Sequence, residues 1–288
     1  MDIQIKNILY PTDFSENAKH ALPYALSLAK KTGATLHIMH SIEEPYDFAP
    51  MVEDIKKDVT RKVKKLYEDM IEDINKKKEY AEDGIKIRTH IFNGRTVYSL
   101  LSATRDYEID LVVMGTQGRS ALEQLFFGST TSEVVQQSTV PVLAIPMEAD
   151  SPDFKHLLFT SDYGPTDLPA LEFTMYFAGL YNSSVKLIHV AKASDEKAEL
   201  LFRGFKDMVH EHIKYKKLTF ELLYSDDLLK AVTEQVNKHK INGIFMVRYH
   251  HLFSIIGKKH SKEMSQSSKV PVLVYPGKKE SSGSNVVI

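Results

Sequence analysis

Ile8-Leu9-Tyr10-Pro11-Thr12-Asp13-Phe14 and Leu157-Leu158-Phe159-Thr160-Ser161-Asp162-Tyr163 are two versions of one segment, 149 residues apart. Each is an apolar run that ends in small polar residues and a carboxylate. The same offset, without a gap, carries Ala21-Leu22 onto Ala170-Leu171, Ala29 onto Ala178 and His40 onto His189. It also sets Asn182 where Gly33 stands. Gly and Asn are the residues that best adopt the left-handed conformation that ends a helix. A later block, Val140-Pro141-Val142-Leu143-Ala144-Ile145-Pro146, recurs at a shorter offset as Val270-Pro271-Val272-Leu273-Val274-Tyr275-Pro276. Two copies of one domain account for this better than one large domain. The boundary is expected near Met147 to Asp153, where Pro146 and Pro152 flank an acidic stretch of small residues. The expected units are 1–147, 152–277 and a mobile Ser/Gly-containing tail at 278–288.

Each copy alternates strand and helix patterns. In the first, Ile5 to Tyr10 reads as a strand. Ser15 then caps a helix that runs to about Lys31 and is ended by Gly33. Strands are expected at Thr35 to His40 and Ile85 to Phe92, with a long charged helix over Met51 to Tyr80 between them. A helix over Thr96 to Tyr107 leads to Leu111-Val112-Val113-Met114, apolar throughout, as a strand buried on both faces should be. Another helix starts near Ser129, and Val142 to Ile145 is the last strand. Five strands with helical crossovers imply an α/β fold, a doubly wound parallel sheet in each domain. The second copy is 17 residues shorter between its second and fourth strands.

Composition agrees. The chain has 288 residues, 43% apolar and 26% charged, the balance of an ordinary globular protein. Cysteine is absent, which excludes disulfides, Cys-based zinc sites and thiol catalysis. No leader or membrane-spanning run is visible, so the cytoplasm is the expected home and no membrane partner is expected. A net charge of −1 argues against a general nucleic-acid binder. The Lys-rich stretch Lys56 to Lys78 is interleaved with acids and reads as a solvated helix. His37 and His40, three apart on a strand, point to opposite faces and cannot share a metal.

In a doubly wound sheet, ligands bind beyond the carboxyl ends of the strands, where the strand order reverses. Two loops stand out there. Pro11-Thr12-Asp13-Phe14-Ser15 follows the first strand. Gly115-Thr116-Gln117-Gly118-Arg119-Ser120, continuing to Gly128-Ser129-Thr130-Thr131, follows the fourth. Glycines let backbone N–H groups approach an anion, and Gly128-Ser129-Thr130 would open a helix with free donors, an arrangement suited to phosphate. Alone, Gly115 and Gly118 could simply make a turn and Ser129 a cap. Together at a switch point they favour a ligand. Neither a Walker loop nor a dinucleotide Gly-x-Gly-x-x-Gly is present.

Gly115-x2-Gly118-x9-Gly128-Ser129 resembles the nucleotide-binding signature of the ATP-binding branch of the universal stress protein family. Asn7 to Ser15 resembles that family's opening strand and Val140 to Leu143 its closing strand. The resemblance covers nearly all of both halves, so the chain looks like a tandem universal stress protein. It implies Rossmann-like domains of the adenine nucleotide alpha hydrolase type. It implies ATP, with or without Mg²⁺, in the first domain. Pro11 and Asp13 would face the adenosine end, and Ser41 would meet adenine through its backbone. Gly115 to Arg119 would wrap ribose and phosphates, and Gly128, Ser129 and Thr130 would hold phosphate oxygens. Thr12 and Met114, beside these, complete the implied set.

The second half departs from this pattern. Val247 replaces Gly115, His250 replaces Gly118, and Gly257-Lys258-Lys259 replaces the Gly-Ser-Thr helix start. No nucleotide is expected there. Arg248, His250, His251, Lys258 and Lys259 read as a solvated basic loop, with an anion site as the other reading. The function expected is a nucleotide-binding stress-response regulator in which the second domain is a structural, pseudo-dimeric partner, paired to the first through the last strands. A slow ATPase or phosphotransferase is the alternative, and no catalytic residue is assigned. A homodimer and an unidentified protein partner stay open.

Overall fold

A computed structural model of the chain describes residues 3–43, 52–77, 80, 84–116, 127–248 and 269–277. The expected tail at 278–288 lies outside them. The first half runs β1 (Asn7–Pro11), α1 (Glu16–Thr32), β2 (Thr35–Ile42), α2 (Val52–Lys76), β3 (Ile87–Asn93), α3 (Thr96–Asp106), β4 (Leu111–Gly115), α4 (Ser129–Gln137) and β5 (Val142–Ile145). The second runs β6 (His156–Thr160), α5 (Asp167–Tyr181), β7 (Ser184–Ala191), α6 (Ala198–His212), β8 (Leu218–Tyr224), α7 (Leu228–His239), β9 (Gly243–Val247) and β10 (Val272–Tyr275). Ser15 caps α1 by accepting from the Ala18 N–H. Gly33 and Asn182 end α1 and α5 in the left-handed conformation, at φ 71° and 54°.

The ten strands form one sheet in the order β3-β2-β1-β4-β5-β10-β9-β6-β7-β8. Within each half all neighbours are parallel, as the crossovers require. Among the described residues the single antiparallel pair is β5 with β10, where Val142, Leu143 and Ala144 face Val274, Leu273 and Val272. Two five-stranded sheets are therefore continuous. All six of these side chains are buried, and burying a large apolar side chain is worth about 1.5–3 kcal/mol.

Strand residues alternate between two cores, one on each face of the sheet. Ile8, Tyr10, Leu36, Ile38, Leu111, Val113, Leu143 and Ile145 pack with α1 and α2. Leu9, Met39, Val112, Met114, Val142 and Ala144 pack with α3 and α4. The second half repeats the alternation, with Leu157 and Phe159 on the first face and Leu158 on the other. On the first face α1 meets α5. Tyr24 lies edge-on to Phe154, which packs on Phe177 and Tyr181. Ser27 Oγ is 3.2 Å from the Tyr181 hydroxyl, and Lys31 sits 4.6 Å above the Tyr181 ring.

One missing Cβ separates the two halves at the start of these helices. A Cβ on Gly115 would lie 2.9 Å from the Asn17 carbonyl oxygen and 3.2 Å from its carbon. Glycine thus lets the first turn of α1 rest on the end of β4. In the second half Val247 holds that place and is buried. There α5 begins at Asp167, the counterpart of Ala18, two residues later than α1 begins.

At the opposite end of the strands the halves differ in another way. His37 Nδ1 lies 3.0 Å from His90 Nε2, with the rings nearly coplanar. Asn7 donates through Nδ2 to the Glu108 carbonyl and so turns Oδ1 to His37 Nε2, 3.3 Å away. His37 therefore carries its hydrogen on Nε2 and accepts at Nδ1 from His90. The corresponding pair in the second half is Lys186 and Glu221, at 2.6 Å. Burial chiefly, with His90 and Arg88 adding to it, pulls His37 down to about 4. Burial and Arg88 lower His90 as well.

Two outcomes follow from these contacts. Gly115→Ala should destabilise the chain by about 1–3 kcal/mol, since the neighbour is backbone and cannot rotate away. Gly179→Ala, inside α5 with open space around it, should instead stabilise by about 0.5–1 kcal/mol. Urea unfolding of both variants measures the contrast, and equal midpoints would contradict it. The second outcome concerns acid. His37 binds protons more weakly folded than unfolded, so stability is lost as pH falls from about 6.5 toward 4, on the order of 1 kcal/mol by pH 5. Exchanging the pair for that of the second half, His37→Lys with His90→Glu, should flatten the urea midpoint between pH 6.5 and 5. A double variant with the parent's slope would show that the pair does not cause it.

Candidate functional site

The strand order of the first half reverses between β1 and β4, so the loops after these strands meet at one end of the sheet. The first loop is held by its own side chains. The Thr12 N–H extends the ladder to the Met39 carbonyl at 2.8 Å, and Thr12 Oγ1 accepts from the Phe14 N–H at 3.0 Å. Asp13 Oδ1 accepts from the Ser15 N–H at 2.9 Å. Pro11 closes β1. Phe14 adopts φ 59°, uncommon for an aromatic residue, and packs between His40 and Tyr67 at 5.0 and 5.5 Å. His40 Nδ1 lies 2.7 Å from the Thr12 carbonyl oxygen. A carbonyl only accepts, so Nδ1 carries a hydrogen.

Ser41 is positioned by the ladder. Residues of β2 alternate in the side to which their backbone groups point. Thr35 and Met39 bond toward β1, while Leu36 and Ile42 bond toward β3. Ser41 shares the parity of Met39, but β1 ends opposite Met39, at Pro11. The Ser41 N–H and C=O therefore point past the end of β1, toward the β4 side of the cleft. Its side chain turns away and donates to the Gly94 carbonyl at 2.7 Å.

The second loop is pinned where it leaves β4 and where it enters α4. The Thr116 N–H donates to the Ile145 carbonyl at 3.0 Å, and the Gly128 N–H donates back to the Thr116 carbonyl at 2.6 Å. Buried Thr131 adds a bond from Oγ1 to the Gly115 carbonyl at 2.9 Å. These bonds hold the N-terminus of α4 over the end of β4. Gly128 occupies its cap position with no side chain, and its first turn carries no acid. The first N–H groups of a helix, here those of Ser129 and Thr130, have no intrahelical partner. With two hydroxyls and a positive dipole end, they form a place for an oxyanion.

The structure thus brings Pro11, Thr12, Asp13, Ser41, Gly115, Gly128, Ser129 and Thr130 to one end of the sheet. Met114 is a core side chain on the α3 and α4 face. Gly118 and Arg119 lie outside the described residues. Gly115 has a packing reason, the approach of Asn17, besides any ligand. Thr116 and Thr131 were not singled out in the sequence, although both stand in the loop segments that were. Their value lies in which carbonyls they meet, which spacing does not reveal.

The second half keeps the frame of the first loop. The Ser161 N–H donates to Ile188, His189 Nδ1 meets the Ser161 carbonyl, and Tyr163 at φ 62° stacks on His189. Fully buried Asp167 then locks this loop from below, accepting from Ser161 Oγ at 2.5 Å and the Asp162 N–H at 3.0 Å. One expectation is corrected. Arg248 does not belong to a solvated basic loop. Its Nη1 donates to the Val135 and Ser138 carbonyls at 3.0 and 2.8 Å, both in the first half. His250, His251, Gly257, Lys258 and Lys259 lie outside the described residues.

Known proteins share this sequence and fold. The model of the universal stress protein family matches residues 4–146. A universal stress protein of Methanocaldococcus jannaschii is 28% identical over 159 residues, covering 50% of this chain and 97% of its own. A universal stress protein of Thermus aquaticus is 31% identical over 142 residues, covering 49% of this chain and 98% of its own. The crystal structure of a universal stress protein from Archaeoglobus fulgidus extends the likeness to the whole fold. It superposes with a TM-score of 0.72 at 20% identity, over 95% of this chain and 97% of that one. The sequence match over the first half and the fold shared along the whole length agree: the chain belongs to the universal stress protein family.

Proposed function

We propose that the first half, residues 1–147, holds one adenine nucleotide, ATP with or without Mg²⁺, and that the chain works as a nucleotide-dependent stress-response regulator. The observation that carries this reading is the start of α4. It is mounted on β4 by backbone bonds, capped by a glycine and free of acidic residues in its first turn. The phosphates would meet the Ser129 and Thr130 N–H groups and hydroxyls. Adenine would meet the outward N–H and C=O of Ser41, an edge with one donor and one acceptor. That pairing suits a ring presenting both. Thr12 and Asp13, already ordered by bonds within their loop, would line the adenosine end. Gly118 and Arg119 would close over ribose and phosphate. In this reading 152–277 is a second domain of the same kind that has given up the site. Val247 and buried Asp167 fill the space there, and the domain serves as a built-in dimer partner.

The test is titration calorimetry with ATP. One nucleotide should bind per chain. Gly128 has φ −61° and ψ 167°, which any residue adopts, so Gly128→Val should fold while placing a branched side chain at the mouth of the first turn. ATP affinity should fall at least about tenfold, or 1.4 kcal/mol. Equal affinity of variant and parent would overturn the assignment of the phosphates to α4.

A further inference from the structure

Helix α4 is short, and its sequence, Ser-Thr-Thr-Ser-Glu-Val-Val-Gln-Gln, has no basic residue in its last turn. The last carbonyls of a helix have no intrahelical donors and carry the negative end of its dipole. Val134 is met by the Ser138 N–H. The next free carbonyl, Val135, and that of Ser138 both receive Arg248 Nη1. Arg248 stands immediately after β9, two strands across the junction from β5. Its own N–H is fixed to the Tyr275 carbonyl at 2.9 Å, and its Nη2 reaches the Gly277 carbonyl at 3.4 Å. A Cβ on Gly277 would come within 2.6 Å of the Arg248 carbonyl oxygen, so the end of the second half closes tightly around this residue. The guanidinium is partly buried, and burial lowers its pKa. Its charge is directed at the carbonyls of the other half.

We propose that Arg248, contributed by the second half, is a positioning residue for the phosphate site of the first half. This rests on the nucleotide reading above. Helix α4 is then mounted at three points. Thr116 and Gly115 hold its N-terminal end from β4, and Arg248 holds its C-terminal end from beyond the junction. A rigid rod fixed only at one end can tilt. With Arg248 in place, the Ser129 and Thr130 N–H groups keep one direction relative to β4 and Ser41. Arg248 never touches the ligand, and its effect should be confined to the phosphate end.

The experiment compares Arg248→Met, which keeps an apolar stem without donors, and Arg248→Lys, which keeps charge and N–H donors but lacks the planar fork that serves Val135, Ser138 and Gly277 together. Each is titrated with ATP and with adenosine, and amide hydrogen exchange is followed in α4. Thermal melts confirm that each variant is folded. Expected results are faster exchange of the α4 amides and a five- to tenfold loss of ATP affinity in Arg248→Met. Adenosine affinity should stay within twofold, and Arg248→Lys should fall between Met and the parent. Unchanged ATP affinity with faster exchange would reduce Arg248 to a structural staple and overturn the proposal. Equal losses for ATP and adenosine would overturn it too, since the effect would not be specific to the phosphate end. A parent that binds adenosine but gains nothing from the phosphates would refute the role of α4 itself. A parent that binds neither would refute the nucleotide reading.

Discussion

The antiparallel pairing of β5 with β10 is the contact on which the rest of the molecule depends. A parallel doubly wound sheet leaves its last strand with one row of unpaired N–H and C=O groups, and here those strands are Val-Leu-Ala-Ile and Val-Leu-Val-Tyr. An apolar open edge in water is a liability. Joining the two edges satisfies both rows and makes ten strands continuous. It also decides which helices can touch. On one face it brings α1 against α5 through Tyr24, Phe154 and Tyr181. On the other it places Arg248 beside the end of α4.

Within that frame, small changes of side chain set the halves apart. The loops after β1 and β6 are built alike, down to a histidine Nδ1 on the carbonyl of Thr12 or Ser161 and an aromatic residue in the left-handed region. The difference begins at Gly115 and Val247. Where there is no Cβ, the helix starts two residues earlier in the aligned sequence and its first turn meets Gly115. With Val247 present, the helix starts later and buried Asp167 accepts from Ser161 and Asp162 in the loop. One glycine in the first half and one buried carboxylate in the second set the two switch points apart within the same sheet.

Much of this was legible in the sequence, and the reasons are physical. Strands buried on both faces must be apolar throughout, so Leu111 to Met114 could be read directly. A left-handed helix end restricts the residue, so Gly33 and Asn182 marked two equivalent ends despite their different chemistry. The offset of 149 then carried the loop from Asp13 to Asp162. Contacts that need register were not legible. His37 meets His90 only because β2 and β3 align Met39 with His90, and nothing in a 53-residue separation announces that. Arg248 was misread for a stronger reason. Beside His250 and His251 it looks like one member of a basic loop, and its partners Val135 and Ser138 offer only main-chain carbonyls, which have no sequence signature. Gly115 was read as part of a ligand loop, and its absent Cβ also makes room for Asn17, which spacing does not reveal.

The junction has a consequence for mass action. Two separate chains joined edge to edge come apart on dilution, and any site braced across their contact would then weaken with falling protein concentration. Here the partners are tied by a short segment between Ile145 and His156, so their association is intramolecular and its effective concentration is fixed by the chain itself. The brace on α4 is as complete in a dilute cell extract as in a crowded compartment. The contact of Arg248 with α4 is thereby independent of the abundance of the protein.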